Sequence, residues 1–156
     1  MNTSLKLIVF FVLGLCISTP AISSSIVVQD AFARASIGLA NNGVVFMLIH
    51  NHSDKNDQLL AIQTDIAKNS SLHNHLNDNG IMKMRRVARI SIPRNSSIEL
   101  KPGGFHVMLM GLKKPLTEGN QFNLILFFKN TGKLKVLVKI KKVAQMPLHK
   151  KIKHTK

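Results

Sequence analysis

Phe122-Asn123-Leu124-Ile125-Leu126-Phe127-Phe128 is followed by Lys129-Asn130-Thr131-Gly132-Lys133 and by Leu134-Lys135-Val136-Leu137-Val138-Lys139-Ile140. Two runs rich in β-branched and aromatic residues flank a short loop containing glycine, which is how a β-hairpin is written. The same grammar recurs upstream. Residues 105–110 form a strand entered through Lys101-Pro102-Gly103-Gly104, a turn in which proline fixes φ and glycine permits positive φ. Residues 98–100 make a short strand after the turn at 94–97, and residues 88–92 are extended up to Pro93. Residues 81–87 alternate after the strong turn signal Asp78-Asn79-Gly80.

Nearer the beginning, 59–64 and 43–49 (G-V-V-F-M-L-I) read as strands separated by the polar loop 50–57, and 25–28 with 31–35 open the domain. No window offers a long amphipathic helix; residues 66–70 make at most one turn. The segment near Leu72-His73-Asn74-His75 reads as a loop carrying histidines. Many short strands with closely spaced turns predict an all-β antiparallel sandwich or barrel.

The ends of the chain carry different signals. Residues 1–6 hold one positive charge, 7–17 are almost continuously apolar, and Pro20-Ala21-Ile22-Ser23 offers small residues at the spacing of a signal-peptidase site. That apolar run is shorter than the roughly 20 residues of a membrane span. The expectation is a secretory signal over 1–23, cleaved near Ser23 or Ser24, with an uncleaved anchor as the alternative. Cys16 raises a lipoprotein reading, but Leu15 precedes it where a lipidation signal wants a small residue. A single β domain is expected over 24–143, and a disordered basic Lys/His tail over 144–156.

Cleavage would remove Cys16, the only cysteine, so the mature domain would have no disulfide and would rest on its core. The formal charge is +15, from 22 Lys and Arg against 7 Asp and Glu, and ten lysines lie between Lys129 and Lys156. Such a balance favours an anionic partner, and for an exported chain a membrane surface or an acidic protein makes more sense than nucleic acid. Nucleic-acid binding is further disfavoured by the absence of Trp and Tyr.

The chemistry sits in the middle of the chain. His73, Met84, His106 and Met108 are two imidazoles and two thioethers with no cysteine among them. This donor set suits copper, above all Cu(I), because thioether sulfur selects that ion and needs no deprotonation. His106 and Met108 lie two apart on a strand, which puts both on one face with Cα atoms about 6.5 Å apart. Met82 and Met84 share a face in the same way, and His73 and Met84 flank one hairpin. Taken singly, each methionine is more often core than ligand, and His73 or His75 in a loop is more often simply exposed. Spacing does not show that the two halves meet.

The order His73, ten residues, Met84, twenty-one residues, His106, one residue, Met108 resembles the signature of the periplasmic copper chaperones called PCu(A)C. The surroundings agree: A-F-A-R-A at 31–35, D-Q-L-L-A at 57–61, M-K-M-R-R-V at 82–87 and L-K-P-G-G-F-H-V-M-L-M-G-L-K-K-P-L at 100–116, with E-G at 118–119. The resemblance covers nearly all of 26–143. It implies a cupredoxin-like β-sandwich and Cu(I) held near the surface by His73, Met84, His106 and Met108. It also implies delivery to the copper centre of a respiratory haem–copper oxidase, beside a Sco-type thiol protein. His75, Met82 and Met110 fall outside the motif and read as neighbours or core. Phe32 stands where Trp is common in that family and Phe105 where Tyr is common, so aromatic bulk is kept and ring hydrogen bonds are lost.

These residues describe a carrier and not an enzyme. Neutral ligands hold Cu(I) less tightly than thiolates would, and imidazole also accepts Cu(II). No Ser/His/Asp order, paired carboxylates or phosphate loop is present, and a blue-copper centre needs a cysteine thiolate. The competing expectations are an exported basic β-module that adheres to anionic membrane or an acidic protein, and copper storage or scavenging without delivery. Met146, His149 and His154 in the tail suggest a second, looser copper site, opposed by the neighbouring lysines.

Overall fold

The computed structural model describes residues 25–78 and 80–142. The expected leader over 1–23 and the tail over 144–156, with its candidate copper donors, lie outside the described residues.

Among the described residues ten strands follow one another: β1 (Ile26–Arg34), β2 (Asn42–Asn51), β3 (Asp57–Gln63), β4 (Ala67–Asp78), β5 (Ile81–Arg86), β6 (Ile90–Ile92), β7 (Ser96–Leu100), β8 (His106–Leu112), β9 (Gln121–Phe128) and β10 (Lys133–Lys141). Hydrogen bonding runs β5-β4-β8-β2-β1-β10-β9-β3-β6, with β7 on β2. The protein is all-β, as the turn spacing predicted, and a cupredoxin-like sandwich, as the resemblance implied. Its hydrophobic centre is one cluster. Val45, Met47, Leu72, Val107 and Leu109 contribute from the β4-β8-β2 side, and Leu59, Leu124, Leu126, Val136 and Val138 from the β10-β9-β3 side. The β9–β10 hairpin alternates cleanly: Phe122, Leu124, Leu126 and Phe128 point inward on one strand, Val136, Val138 and Ile140 on the other. Alternation of this kind is what one buried and one solvated face demand.

The structure departs from the sequence reading in three places. Residues 25–35 contain one strand with a bulge between Gln29 and Phe32, where Asp30 takes a φ of 49°. One pairing is parallel: Phe32, Ala33 and Arg34 lie beside Lys139, Ile140 and Lys141. First and last strands are joined by no hairpin, so nothing local forces them to run in opposite directions. The third departure matters most. The histidine segment is no loop, and residues 66–70 make no helical turn; β4 runs unbroken from Ala67 to Asp78. Its Lys, Asn, Ser and His residues are weak strand formers, but neighbours on both edges, β5 and β8, supply its backbone with partners.

The β9–β10 loop is tied down by Asp57, which is buried at the start of β3. Its carboxylate accepts hydrogen bonds from the amides of Gln58 (2.7 Å), Asn130 (2.9 Å) and Thr131 (3.0 Å) and from the Thr131 hydroxyl (2.7 Å). Burial alone would raise its pKa, but these four donors together hold it below the usual carboxylate value.

Candidate metal centre

Strands β5, β4 and β8 build the site. Gly80, at a φ of 84°, lies where β4 turns into β5, Asp78 pairs with Ile81, and His75 therefore stands opposite Met84. On the other edge of β4, His73 stands opposite His106 and Ser71 opposite Met108. Cross-strand partners share a face. His73, His75, Met84, His106 and Met108 accordingly lie together on the face opposite Leu72, Val107 and Leu109, which are buried in the core.

The Lys101–Gly104 turn sets the orientation of His106. Gly103 takes a φ of 77°, and the turn is closed by the Lys101 amide on the Phe105 carbonyl (2.8 Å) and the Gly104 amide on the Lys101 carbonyl (3.1 Å). The Gly104 carbonyl is thereby aimed at two groups, the backbone amide of His75 (3.3 Å) and Nδ1 of His106 (2.9 Å). A carbonyl only accepts, so Nδ1 carries the proton and the neutral ring presents a lone pair at Nε2. That nitrogen lies 3.2 Å from the Met84 sulfur. Thioether sulfur also has only lone pairs to offer. Two donors of electrons face each other with no proton between them.

A cation shared by the two would resolve that confrontation. Bonds of about 2.0 Å to imidazole nitrogen and about 2.3 Å to sulfur, at a tetrahedral angle, set the two donors about 3.5 Å apart, a few tenths of an ångström wider than observed. The donors present thus fit a soft ion with little movement. His106 is only 2% exposed although it lies on the outer face, while Met84 above it is 46% exposed. The rings of His75, His73 and Phe46 stand 4.9, 5.8 and 6.5 Å from that of His106.

His73 is held by a 2.9 Å hydrogen bond between its Nε2 and the Ser71 hydroxyl, whose donor follows the tautomer. Nδ1 of His73 and Nδ1 of His75 are both buried without a hydrogen-bond partner. Burial lowers the pKa of His73, assisted by His106, Arg86 and His75. Burial likewise lowers that of His106, against the opposing Gly104 hydrogen bond and with help from His75. Both rings are therefore neutral near pH 7, the state in which imidazole binds metal.

Of the four residues singled out from sequence, the structure brings His73, Met84 and His106 together by ring spacing and sulfur contact. Met108 shares their face through strand register, two residue pairs along from His106, and is partly buried. Met82, expected as neighbour or core, is 54% exposed on the same strand as Met84, whereas among the described methionines Met47 is the buried one. Among the described residues no three of His, Cys, Asp or Glu make a metal site by themselves, so sulfur has to be counted. His75, expected as a neighbour or core, stands beside the motif residues on this face, its ring 4.9 Å from that of His106. The Asp78-Asn79-Gly80 signal in the sequence carries that placement, since the pairing of Asp78 with Ile81 puts His75 opposite Met84. Phe32, in place of the family's Trp, packs on Phe46 with ring centroids 5.5 Å apart, and the Lys141 ammonium sits 5.1 Å from its centroid. The site is an open sheet face; clefts of about 470 Å³ between β1 and β10 and about 340 Å³ beside Pro115 are lined by other residues.

The sequence model of the family described as putative lipoprotein LpqE-like matches residues 26–140, every strand of the sandwich but for Lys141 at the end of β10. The chain belongs to this LpqE-like family. An uncharacterized protein of Rickettsia prowazekii is 31% identical over 113 residues, covering 70% of this chain and 62% of the relative. The chain thus matches less than two thirds of that protein's length. Among solved structures, Cu(I)-bound DR1885 of Deinococcus radiodurans is 30% identical with a TM-score of 0.62, over 75% of this chain and 78% of that one. The copper-bound PCuAC domain of PmoF2 superposes with a TM-score of 0.65 at 21% identity, over 76% and 93% of the two chains. The LpqE-like chain therefore has the fold of the PCuAC domains.

Proposed function

We propose that this LpqE-like protein is an exported copper carrier that holds one Cu(I) with His73, Met84, His106 and Met108 and passes it to the copper centre of a respiratory haem–copper oxidase. The observation that carries the reading is the 3.2 Å contact between Nε2 of His106 and the Met84 sulfur, two lone pairs with no proton to share. The Cu(I) form of DR1885, related at 30% identity, supports the same ion, and kinship with putative lipoproteins supports export to the periplasm.

The mechanism follows from unequal exposure. His106 is buried and its tautomer is fixed by the Gly104 carbonyl, so it is the anchor. Met84 lies on β5, the edge strand of the sheet, with nearly half its surface open to solvent. An incoming thiol or imidazole can replace the Met84 sulfur first, then His73 and Met108, and displace His106 last. Neutral ligands leave the ion its positive charge and bind it less firmly than thiolates, which is what stepwise transfer requires. A Sco-type thiol protein is the natural co-worker, since a thiolate outcompetes a thioether for Cu(I).

The exposed Lys135 and Lys139 on β10 favour a second reading, adhesion to anionic membrane or an acidic protein. That reading leaves the converged lone pairs without a purpose. One experiment separates the two. Anaerobic titration with Cu(I) against a competing chelator is expected to give one tight equivalent per chain; a folded protein that takes up none is an adhesion module and no carrier.

A further inference from the structure

The sheet face holds three imidazoles where the donor set needs two. We infer that His75 is a further copper ligand, and that with His73 and His106 it gives the site a three-nitrogen arrangement in which it also holds Cu(II). This rests on the copper-carrier reading above and extends it to the second oxidation state.

Three observations carry it. First, register: His75 stands opposite Met84 and His73 opposite His106, so the two histidines of β4 each face one member of the contact between the Met84 sulfur and His106. Second, spacing. Two imidazoles that share one ion through bonds of about 2.0 Å have ring centroids about 4.5–5.5 Å apart for angles of roughly 90–120° at the metal. The His75 and His106 rings are 4.9 Å apart, within that range, and the His73 and His106 rings are 5.8 Å apart, just beyond it. Third, Nδ1 of His75 is buried and has no hydrogen-bond partner, so ligation there breaks no existing bond. The three rings do not already converge into a metal site. Capture of Cu(II) includes a rotation of the partly exposed His75 side chain.

The chemistry favours a division of labour. Cu(II) prefers nitrogen ligands in tetragonal geometry, and thioether sulfur is a poor ligand for it. In the Cu(I) state the two sulfurs complete the site; in the Cu(II) state a third imidazole takes the place of exposed Met84. Copper is thereby retained whichever oxidation state reaches the protein.

The test uses the full chain in a His149→Ala/His154→Ala background, so that the tail imidazoles cannot contribute. Cu(II) is added to one equivalent, and bound imidazoles are counted by pulsed electron paramagnetic resonance of their remote nitrogens. Three are expected, falling to two in His75→Ala, with Cu(II) affinity reduced tenfold or more and Cu(I) affinity reduced by a smaller factor. His52→Ala is expected to leave the count at three. If His75→Ala loses native circular dichroism, His75→Gln replaces it. An unchanged count and affinity in the His75 variant, or a fall on His52→Ala instead, overturns the inference. A background protein that binds Cu(I) but no Cu(II) overturns it alone, and one that binds neither overturns the copper-carrier reading as well.

Discussion

The Met84 sulfur and Nε2 of His106 are 22 residues apart in the chain and 3.2 Å apart in space. One belongs to an exposed edge strand and the other is buried, and the Gly104 carbonyl fixes the His106 proton on the far side of its ring. The contact therefore joins an anchored donor to a replaceable one. Met84→Leu keeps volume and removes the sulfur, so the fold should be little disturbed. Cu(I) affinity is expected to fall about tenfold or more, worth roughly 1.4 kcal/mol, with a smaller effect on Cu(II). His106→Ala should weaken both oxidation states, and Met108→Leu should again act chiefly on Cu(I). Competition titrations of the three variants check this. Equal losses of Cu(I) and Cu(II) in Met84→Leu would deny the sulfur its selective role.

The turn before β8 offers a test that touches no candidate ligand. Gly103 takes positive φ, which costs a residue with Cβ about 1 kcal/mol or more, whereas a Cβ on Gly104 would meet Lys101 only at ordinary contact distances of 3.6 and 3.7 Å. Gly103→Ala is expected to lower thermal stability and Cu(I) affinity together, because it displaces the carbonyl that orients His106. Gly104→Ala should leave both near wild type. Measuring melting temperature and affinity for the pair suffices; a reversed order would mean that the turn does not position the histidine.

Much of this fold was legible because its strands announce themselves. The alternation in β9 and β10 follows from burial of one face, the apolar run in β2 from burial of both faces at Val45, Phe46 and Met47, and glycines mark turns between strands. β4 was illegible for the opposite reason. Its outer residues are Lys, Asn, Ser and His, and it is a strand only because β5 and β8 flank it, a tertiary fact that local propensity cannot carry. The same pairing decides the candidate site. Spacing alone puts His106 beside Met108, but the meeting of His73 with His106 depends on long-range register. Parallel contact between β1 and β10 was hidden likewise, since no turn signal links the two ends of the domain.

Asp57 should be the most costly surface-proximal acid to remove. Four hydrogen bonds converge on its buried carboxylate and hold β3 to the β9–β10 loop. Asp57→Asn offers one acceptor oxygen and two unwanted donors, and is expected to cost about 2–3 kcal/mol near neutral pH. Its pKa is lowered in the folded protein, so the carboxylate stabilises the fold at pH values above its ordinary value of 3.8. That contribution fades as pH drops through the lower, folded-state value. Urea unfolding of wild type and variant from pH 7 to pH 3 should show the gap between them narrowing at the acid end; a gap independent of pH would locate the effect in packing instead of charge.

Delivery is a question of rate as well as affinity. Arg85 and Arg86 are exposed on β5, next to the Met84 sulfur in the chain, and the protein as a whole carries +15. An acidic recipient would be drawn to the edge at which the replaceable ligand lies. Charge of this kind accelerates encounter more than it deepens binding, and is screened over about 10 Å at 0.1 M salt. Mixing Cu(I)-loaded protein with the apo copper-site domain of a haem–copper oxidase should move copper to the latter, more slowly as salt rises. Arg85→Glu should slow transfer at low salt and match wild type at high salt, with Cu(I) affinity unaltered. Failure to transfer at any ionic strength, with or without a thiol protein, would leave a copper store or scavenger. Transfer at a salt-independent rate would keep the carrier and remove its basic edge from the docking step.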